Sequence, residues 1–259
     1  MTLWMLYLSA MLLIWLSLTL LWGISLLITD ASIVDIFWGA GFVFIAWCYV
    51  FLQDSITIRA WLMTLLVSLW GGRLVLYLAW RNLGKGEDFR YKRWRADAGQ
   101  KWWWLSYIRV FMLQGVVMLI VSVPILGVHQ TAETSLNWLD GLAIALWSIG
   151  FSFEVIGDWQ LARFKSNPAN EGKILDTGLW RYTRHPNYFG DAVVWWAFYI
   201  LALASGAWWT IFGAITMTFF LMRVSGVPML ERSLKKRKPA YQAYVERTSS
   251  FFPLPPKSD

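Results

Sequence analysis

The sequence predicts an all-α membrane protein with seven transmembrane helices, and three observations lead to this fold class. Of its 259 residues, 58% are hydrophobic and only 15% are charged, whereas about 25% are charged in an average soluble domain. With a mean hydropathy of +0.47, one soluble core could not bury all the apolar surface, so lipid must cover much of it. The 20 tryptophans agree, because indole rings favour the membrane–water boundary. These observations exclude a soluble enzyme, a nucleic-acid-binding protein and a disordered scaffold.

Seven stretches approach the roughly 20 apolar residues that a transmembrane helix needs. No Lys or Arg precedes the first stretch, which is also too long for the apolar core of a signal peptide, so we expect it to be retained. Together the seven are expected to form a single membrane domain over residues 1–259. The expected spans are Leu3–Ile28, Ile33–Leu52, Ile58–Trp80, Trp103–Leu126, Leu139–Leu161, Tyr188–Ser205 and Trp208–Val224.

The basic residues indicate how these spans are oriented. Of the 23 Lys and Arg residues, 20 lie in residues 81–101, 163–184 and 223–259, and seven spans place these segments on one side of the membrane. The positive-inside rule assigns that side to the cytoplasm. We therefore expect the N-terminus outside and the C-terminus in the cytoplasm. The basic loops would also attract anionic membrane lipid.

Ionisable side chains in the third span form the first candidate site. Trp70, Arg73, Tyr77 and Arg81 share one helical face, because a rotation of about 100° per residue aligns these spacings. Charged groups at membrane depth are costly and usually face the protein interior. The alternative is that both arginines extend to the lipid headgroups, which suits Arg81 better than Arg73.

Carboxylates mark two further spans. Glu154, Asp158 and Lys165 share a face of the fifth span, and two carboxylates one turn apart are unfavourable unless a cation or a ligand compensates for them. For Asp158 the alternative is an ion pair that only fixes helix packing. Asp35 opens the second span and is either a site residue or, with Ser32, a helix cap.

The densest motif lies between the fifth and sixth spans. Pro186 prevents a helix from continuing through His185, so Asn187 is expected to cap the next helix, with Asp191 one turn later. Cations beside a helix N-terminus favour binding of a phosphate or a carboxylate. The other histidine, His129, lies on the opposite side, and the chain has one cysteine. No metal site is therefore expected.

These residues carry a resemblance to a known family. The segments GDWQLARFK at residues 157–165 and GLWRYTRHPNYFGD at residues 178–191 resemble the C-terminal domain of the steroid 5-alpha-reductases, and most closely their bacterial relatives, the DUF1295 proteins. The resemblance covers nearly the whole chain, and residues 158–259 are its most family-like part. Also similar to the bacterial branch are VDIFWG at residues 34–39, GKGEDFRY at residues 84–91, and the tail from Pro228–Glu231 through Tyr241–Tyr244.

The resemblance implies a seven-helix enzyme of the bacterial inner membrane that holds NADPH between its helices on the cytoplasmic side. It also implies reduction of a carbon–carbon double bond conjugated to a ketone, in a steroid-like or isoprenoid substrate that enters from the bilayer. Cations suit the phosphates of this dinucleotide, and an asparagine suits its nicotinamide amide. By position, the residues in contact with NADPH would be Arg73, Tyr77, Arg81, Asp158, Lys165, Lys173, Tyr182, Arg184, His185, Asn187, Tyr188, Asp191 and Arg223.

The implied reaction is hydride transfer to the β-carbon of the enone and protonation of its α-carbon. An acid near the carbonyl would stabilise the developing enolate. Where the animal reductases have a Gln-Glu pair and a tyrosine, this chain has Asp35 and Trp70. These two residues are the expected catalytic pair. Since the tryptophan N–H can donate a hydrogen bond but is not a proton source, Asp35 is the expected acid.

Other functions are compatible with parts of the sequence. Arg184, His185, Pro186 and Tyr188, with the later Glu231, also resemble the isoprenylcysteine carboxyl methyltransferases, in which this motif helps to bind S-adenosylmethionine. The many basic residues favour a cofactor with three phosphates over a methyl donor with one carboxylate. A transporter or receptor would need polar groups along a path across the bilayer, whereas here they lie at one side. We expect a monomer without a nucleic-acid partner.

Overall fold

The structure, a computed structural model, describes residues 1–131, 135–224, 226–227, 231 and 241–257. Within these ranges the chain is helical and has no β-strand, as the composition predicts. Residues 228–230 of the family-like tail and the basic run 232–238 lie outside the described ranges. The α-helices are α1 (Leu3–Leu27), α2 (Ile33–Phe51), α3 (Ile58–Asn82), α4 (Phe89–Ala98), α5 (Trp102–Ser106), α6 (Leu113–Val121), α7 (Val123–His129), α8 (Trp138–Ser166), α9 (Pro186–Ala204), α10 (Ile211–Phe219) and α11 (Tyr241–Arg247).

Among the described residues, five helical segments are long and apolar enough to cross a membrane, which corrects the expectation of seven. The sixth predicted span is α9, a 19-residue helix that begins with Pro186 and Asn187 and contains Asp191; these residues lower its hydropathy. The seventh, Trp208–Val224, is shorter than the other five and falls below the roughly 20 residues that a span needs. The five segments are Leu3–Leu27, Ile33–Phe51, Ile58–Asn82, Phe89–Val121 and Trp138–Ser166.

The chain folds into two compact units. The first contains Met1–Leu136 and Leu201–Phe212, and the second contains Asn137–Ile200 and Gly213–Asp259. Each unit buries apolar side chains of its own, as a folded unit must. Buried residues of the first unit include Leu6, Ile14, Leu18, Phe42, Ile45, Met63, Trp70 and Phe111, and those of the second include Val194, Trp195, Ala197 and Phe198.

Two glycines let α2 and α3 cross with their backbones in contact. A Cβ atom on Gly39 would lie 2.5 Å from the carbonyl oxygen of Gly71, and one on Gly71 would lie 2.6 Å from that of Gly39. Small residues at a helix crossing permit close approach, which is how apolar helices gain contact area within a membrane. The second unit uses the same device, because a Cβ on Gly150 of α8 would lie 2.6 Å from the carbonyl oxygen of Gly190 in α9.

The substitution Gly71→Ala is expected to destabilise the first unit, whereas Gly72→Ala is not. The new methyl group at position 71 would lie 2.6 Å from the Gly39 oxygen and 2.8 Å from Val43 Cγ2, and such overpacking costs about 1–3 kcal/mol. At position 72 a methyl group would meet no atom within 4 Å, so this neighbour is the matched control. Thermal unfolding in detergent measures both variants. Equal unfolding midpoints for the two variants would contradict the close approach of α2 and α3 at Gly71.

Candidate functional site

The crossing of α2 and α3 brings two predicted residues to the same end of the first unit. Asp35 precedes Gly39 by one turn of α2, and Arg73 follows Gly71 in α3. A short loop joins the two helices, which therefore run antiparallel. Since they meet at the two glycines, Asp35 and Arg73 lie on the same side of the crossing. One end of the first unit thus carries both a carboxylate and a guanidinium.

Three predicted residues form a stack along α3. The guanidinium carbon of Arg73 lies 5.1 Å from the centre of the Tyr77 ring, and that of Arg81 lies 5.6 Å from it. Both distances are those of cation–π contacts. Arg81 also donates from Nε to Asn82 Oδ1 at 3.0 Å. The three side chains are at least partly exposed, so two positive charges and an aromatic face are presented together, a combination suited to phosphates and planar rings.

Asp35 is held by two side chains of α4 that the sequence did not single out. Arg90 Nη2 lies 2.7 Å from one oxygen of its carboxylate, and the Tyr91 hydroxyl donates to the other at 2.7 Å. Gln114 Nε2 donates in turn to the Tyr91 oxygen at 3.5 Å. Ser32 provides no side-chain cap for α2. The result is a hydrogen-bonded chain from Gln114 through Tyr91 to Asp35, with Arg90 as the counter-ion.

The motif GKGEDFRY holds this chain in place. The buried carboxylate of Glu87 accepts the backbone N–H of Ala31 at 2.9 Å and two hydrogen bonds from Arg95, at 2.7 and 3.1 Å. Asp88 caps α4 by accepting the N–H of Arg90 at 2.9 Å. These bonds tie α4 to the segment that precedes α2. The motif was therefore the available signal for Arg90 and Tyr91.

Trp70, the second predicted catalytic residue, is fully buried between α2 and α3. Its ring lies 5.7 Å from that of Phe42, which in turn packs edge-on against Trp38 at 5.4 Å. Aromatic pairs in these arrangements add stability beyond the area they bury. The position gives Trp70 a packing role, and its part in catalysis stays a prediction.

In the second unit, Asn187 and Asp158 meet between α9 and α8. Asn187 Nδ2 donates to Asp158 Oδ1 at 3.1 Å, and its own Oδ1 accepts the N–H of Tyr188 at 3.1 Å. The helices approach closely here because Gly157 faces Pro186, and a Cβ on Gly157 would lie 3.2 Å from Pro186 Cγ. Helix α9 starts directly after His185, as Pro186 predicts, but Asn187 is its second residue and not the cap that the sequence predicted. The geometry brings a buried carboxylate and an amide together.

Arg184 and His185 converge on Glu231, a residue of the family-like tail that was not among the predicted cofactor-binding residues. Arg184 Nε donates to Glu231 Oε1 at 2.8 Å, and Nη2 lies 2.7 Å from the same oxygen. Its Nη1 donates to the backbone carbonyls of Val245, at 3.1 Å, and Thr248. His185 Nε2 lies 3.4 Å from Glu231 Oε1. All three guanidinium nitrogens therefore bond within the unit and hold the loop before α9 to the C-terminal segment.

Burial sets the protonation of His185, and hydrogen bonds set that of Glu231. Burial lowers the pKa of His185 despite the opposing hydrogen bond and charge of Glu231, so the imidazole is neutral at pH 7. Burial would raise the pKa of Glu231, but hydrogen bonds from His185 and Arg184 outweigh it and lower that pKa. The His185 ring also stacks on Tyr188, with ring centres 5.5 Å apart and planes 8° from parallel. A neutral imidazole thus lies beside an ionised carboxylate.

The remaining predicted residues of the second unit lie closer to its surface. Tyr182 is exposed in the loop before α9, and Asp191 is half-buried in α9. The three cations are exposed: Lys165 in the last turn of α8, Lys173 in the loop that follows, and Arg223 in the π-helical segment Phe220–Val224.

A protein family and one individual protein each match this chain over most of its length, and another protein matches less than half of it. Residues 21–248, which extend from α1 to α11, match the family described as "Protein of unknown function (DUF1295)". An uncharacterized protein of Schizosaccharomyces pombe is 26% identical over 268 residues, which cover 90% of this chain and 75% of that protein. A probable O-methyltransferase of Ustilaginoidea virens is 34% identical over 107 residues, which cover 40% of this chain and 36% of that protein. No solved structure matches the chain.

Proposed function

Because the chain belongs to the DUF1295 family, whose description states no function, we propose a function from the residues of its two units. The proposal is an NADPH-dependent oxidoreductase that acts on CH–CH groups. It reduces a carbon–carbon double bond conjugated to the carbonyl of a hydrophobic ketone, a steroid-like or isoprenoid enone. The motifs that resemble the steroid 5-alpha-reductases support this reaction class.

One observation carries the proposal: a cation–aromatic stack and a hydrogen-bonded acid lie at the same end of the first unit. Arg73 and Arg81, one turn before and one turn after Tyr77, suit a cofactor that has both phosphates and planar rings. The pair of Asp35 and Tyr91, bonded at 2.7 Å, suits a substrate that must receive a proton. A reductase of this class needs both groups.

Bound NADPH would supply a hydride to the β-carbon of the enone, which leaves an enolate. The Tyr91 hydroxyl would then give its proton to the α-carbon, and the product is the saturated ketone. Gln114, which donates to the phenol oxygen, would stabilise the resulting phenolate. The partly exposed carboxylate of Asp35 would orient the hydroxyl and return a proton from water. Tyr91 would thereby supply the proton that the indole of Trp70 cannot.

The second unit, taken by itself, contains the other residues that the family resemblance assigns to the dinucleotide. The amide of Asn187, oriented by Asp158 at 3.1 Å, would bond to the carboxamide of the nicotinamide. Arg184 and His185 would position the loop before α9 through Glu231, and Tyr188 would support His185 by stacking. The exposed or half-buried residues of this unit that the resemblance also assigns to the dinucleotide are Lys165, Lys173, Tyr182, Asp191 and Arg223.

The proposal locates the enzyme in a bacterial inner membrane, with the site facing the cytoplasm. Five apolar helical segments support a membrane location, and the distribution of Lys and Arg supports the orientation. A hydrophobic substrate would enter laterally from the lipid, and the enzyme would act as a monomer. To test this orientation, single cysteines would be placed in the basic loops of the protein and labelled in intact cells. Only outward-facing positions react with an impermeant reagent.

The experiment that tests the reaction is NADPH consumption by the purified protein with a panel of hydrophobic enones. We expect oxidation of NADPH only when an enone is present, together with formation of the saturated ketone, identified by mass spectrometry. Consumption of NADPH without this product, or no consumption with any steroid-like or isoprenoid enone, would contradict the proposal.

The substitution Arg73→Ala is expected to weaken NADPH binding by about 10- to 100-fold, because a charge-assisted bond to phosphate is worth about 1.5–3 kcal/mol. Titration of NADPH against the purified variant measures the Kd. Arg93→Ala removes the same charge from an exposed position of α4 and is the matched control. If both variants bind NADPH with equal affinity, the stack on α3 is not part of the cofactor site.

A second candidate function is methyl transfer from S-adenosylmethionine to a prenylcysteine or phospholipid. Two observations favour it: the partial likeness to a probable O-methyltransferase and the contact of Arg184 and His185 with Glu231. Transfer of a labelled methyl group to a lipid extract tests it. If lipid is labelled and no NADPH-dependent reduction is detected, the second candidate function replaces the first.

A further inference from the structure

Exposed side chains of α4 and of the turn that follows it form a basic and aromatic surface that the proposed reaction does not use. Lys92 and Arg93 are exposed on α4, and Lys101 is exposed in the following turn. Trp94 and Trp103, which follow these cations in the sequence, have 43% and 59% of their surface accessible, and the Trp94 ring also packs edge-on against Tyr91. These five residues are called the α4 surface below.

Nearby carboxylates do not neutralise this surface, because most of them pair on the inner side of α4. Glu87 is buried and bonds to Arg95 at 2.7 Å. The acid within α4 itself, Asp97, lies 3.9 Å from Arg93, at the limit of an ion pair between exposed side chains. Within the part of the chain that the structure describes, the two lysines of the α4 surface have no acidic partner. The surface therefore keeps a net positive charge.

The length of the surrounding segment places the α4 surface at the membrane boundary. The apolar segment Phe89–Val121 has 33 residues, whereas about 20 cross the hydrocarbon core. Helix α4 supplies the excess, since its sequence FRYKRWRADA contains four Lys or Arg residues. Exposed tryptophans favour the headgroup region, where cations attract anionic lipid.

We propose that the α4 surface binds the phosphate of an anionic phospholipid such as phosphatidylglycerol. Lys92, Arg93 and Lys101 pair with the phosphate oxygens, while Trp94 and Trp103 lie among the headgroups and upper acyl chains. A soluble anion would engage the cations alone, whereas a lipid engages the tryptophans as well. The inner side of α4 holds Asp35 through Arg90 and Tyr91. Bound anionic lipid thus stabilises the helix that orients this carboxylate, whatever reaction the protein catalyses.

The test is thermal unfolding of the full-length protein in a neutral detergent, titrated with short-chain phosphatidylglycerol or phosphatidylcholine. We expect phosphatidylglycerol to raise the midpoint and phosphatidylcholine to leave it nearly unchanged. The shift should shrink as salt rises from about 0.05 to 0.5 M, because salt screens exposed charges. The triple variant K92E/R93E/K101E should bind phosphatidylglycerol on the order of 100-fold more weakly, since each cation near the lipid surface contributes about a factor of five.

The matched control is R163E/R181E/K257E, which makes the same change in net charge at exposed positions of the second unit. It should keep the response to phosphatidylglycerol. Should the glutamate variant not fold, K92Q/K101Q is tested instead, with an expected loss of about 10-fold or more. The proposal would be overturned if these variants responded to phosphatidylglycerol as the wild type does, or if the control lost the response equally. It would also be overturned if inorganic phosphate alone raised the unfolding midpoint as much as the lipid does.

Discussion

The substitution Tyr91→Phe is expected to slow enone reduction by about 10²–10⁴-fold, the usual contribution of a positioned acid, with NADPH affinity unchanged. The change removes the hydroxyl that bonds to Asp35 at 2.7 Å and receives a hydrogen bond from Gln114. It leaves the ring, which packs edge-on against Trp94. Asp35→Asn should also slow reduction without loss of cofactor binding, because the amide cannot return a proton to the phenol.

Single-turnover kinetics with saturating NADPH and enone measure this effect, since they isolate the chemical step from product release. Tyr7→Phe removes the same hydroxyl from α1 and is the matched control, for which we expect wild-type turnover. Full turnover in Tyr91→Phe would show that another group protonates the substrate. Loss of NADPH affinity in the same variant would instead indicate that the α4 contacts support the cofactor site.

The substitution Arg184→Ala is expected to lower the free energy of unfolding of the second unit by about 3–5 kcal/mol, as when one partner of a buried ion pair is removed. It leaves the carboxylate of Glu231 with His185 as its remaining partner from this loop. It also removes the donor to the carbonyls of Val245 and Thr248. Arg184→Lys should be intermediate, since a lysine keeps the charge but cannot form the fork of bonds.

Denaturant unfolding and limited proteolysis of the C-terminal segment measure the loss, because truncation of Arg184 should release this segment. The control is Arg181→Ala, three residues earlier and exposed, which should behave as wild type. Normal stability of Arg184→Ala together with weaker NADPH binding would mean that this arginine contacts the cofactor directly.

Local sequence was sufficient to predict features that depend on one helix. The stack of Arg73, Tyr77 and Arg81 follows from a spacing of four residues, which any α-helix converts into a shared face. The start of α9 follows from Pro186, whose ring cannot continue a helix from the preceding residue. The count of spans was less predictable, because α9 combines polar residues in its first turns with an apolar remainder.

Contacts between distant segments could not be predicted in this way. Tyr91 and Asp35 are separated by 56 residues, and their contact depends on how α4 is tied to the segment before α2 through Glu87. Arg184 and Glu231 are separated by 47 residues. In both cases the partners lie in family-like motifs, but their pairing depends on tertiary packing that no local periodicity encodes.

The identity of the bound cofactor tests the proposed function most directly. The detergent-purified protein would be denatured, and the released small molecules identified by mass spectrometry. In parallel, NADPH, NADH and S-adenosylmethionine would be titrated while thermal unfolding is followed, since a ligand that binds the folded state raises its midpoint. If the protein is a reductase, we expect NADP(H) among the released molecules, or a higher unfolding midpoint with NADPH alone. A shift with S-adenosylmethionine alone, or none with any of the three, would contradict it.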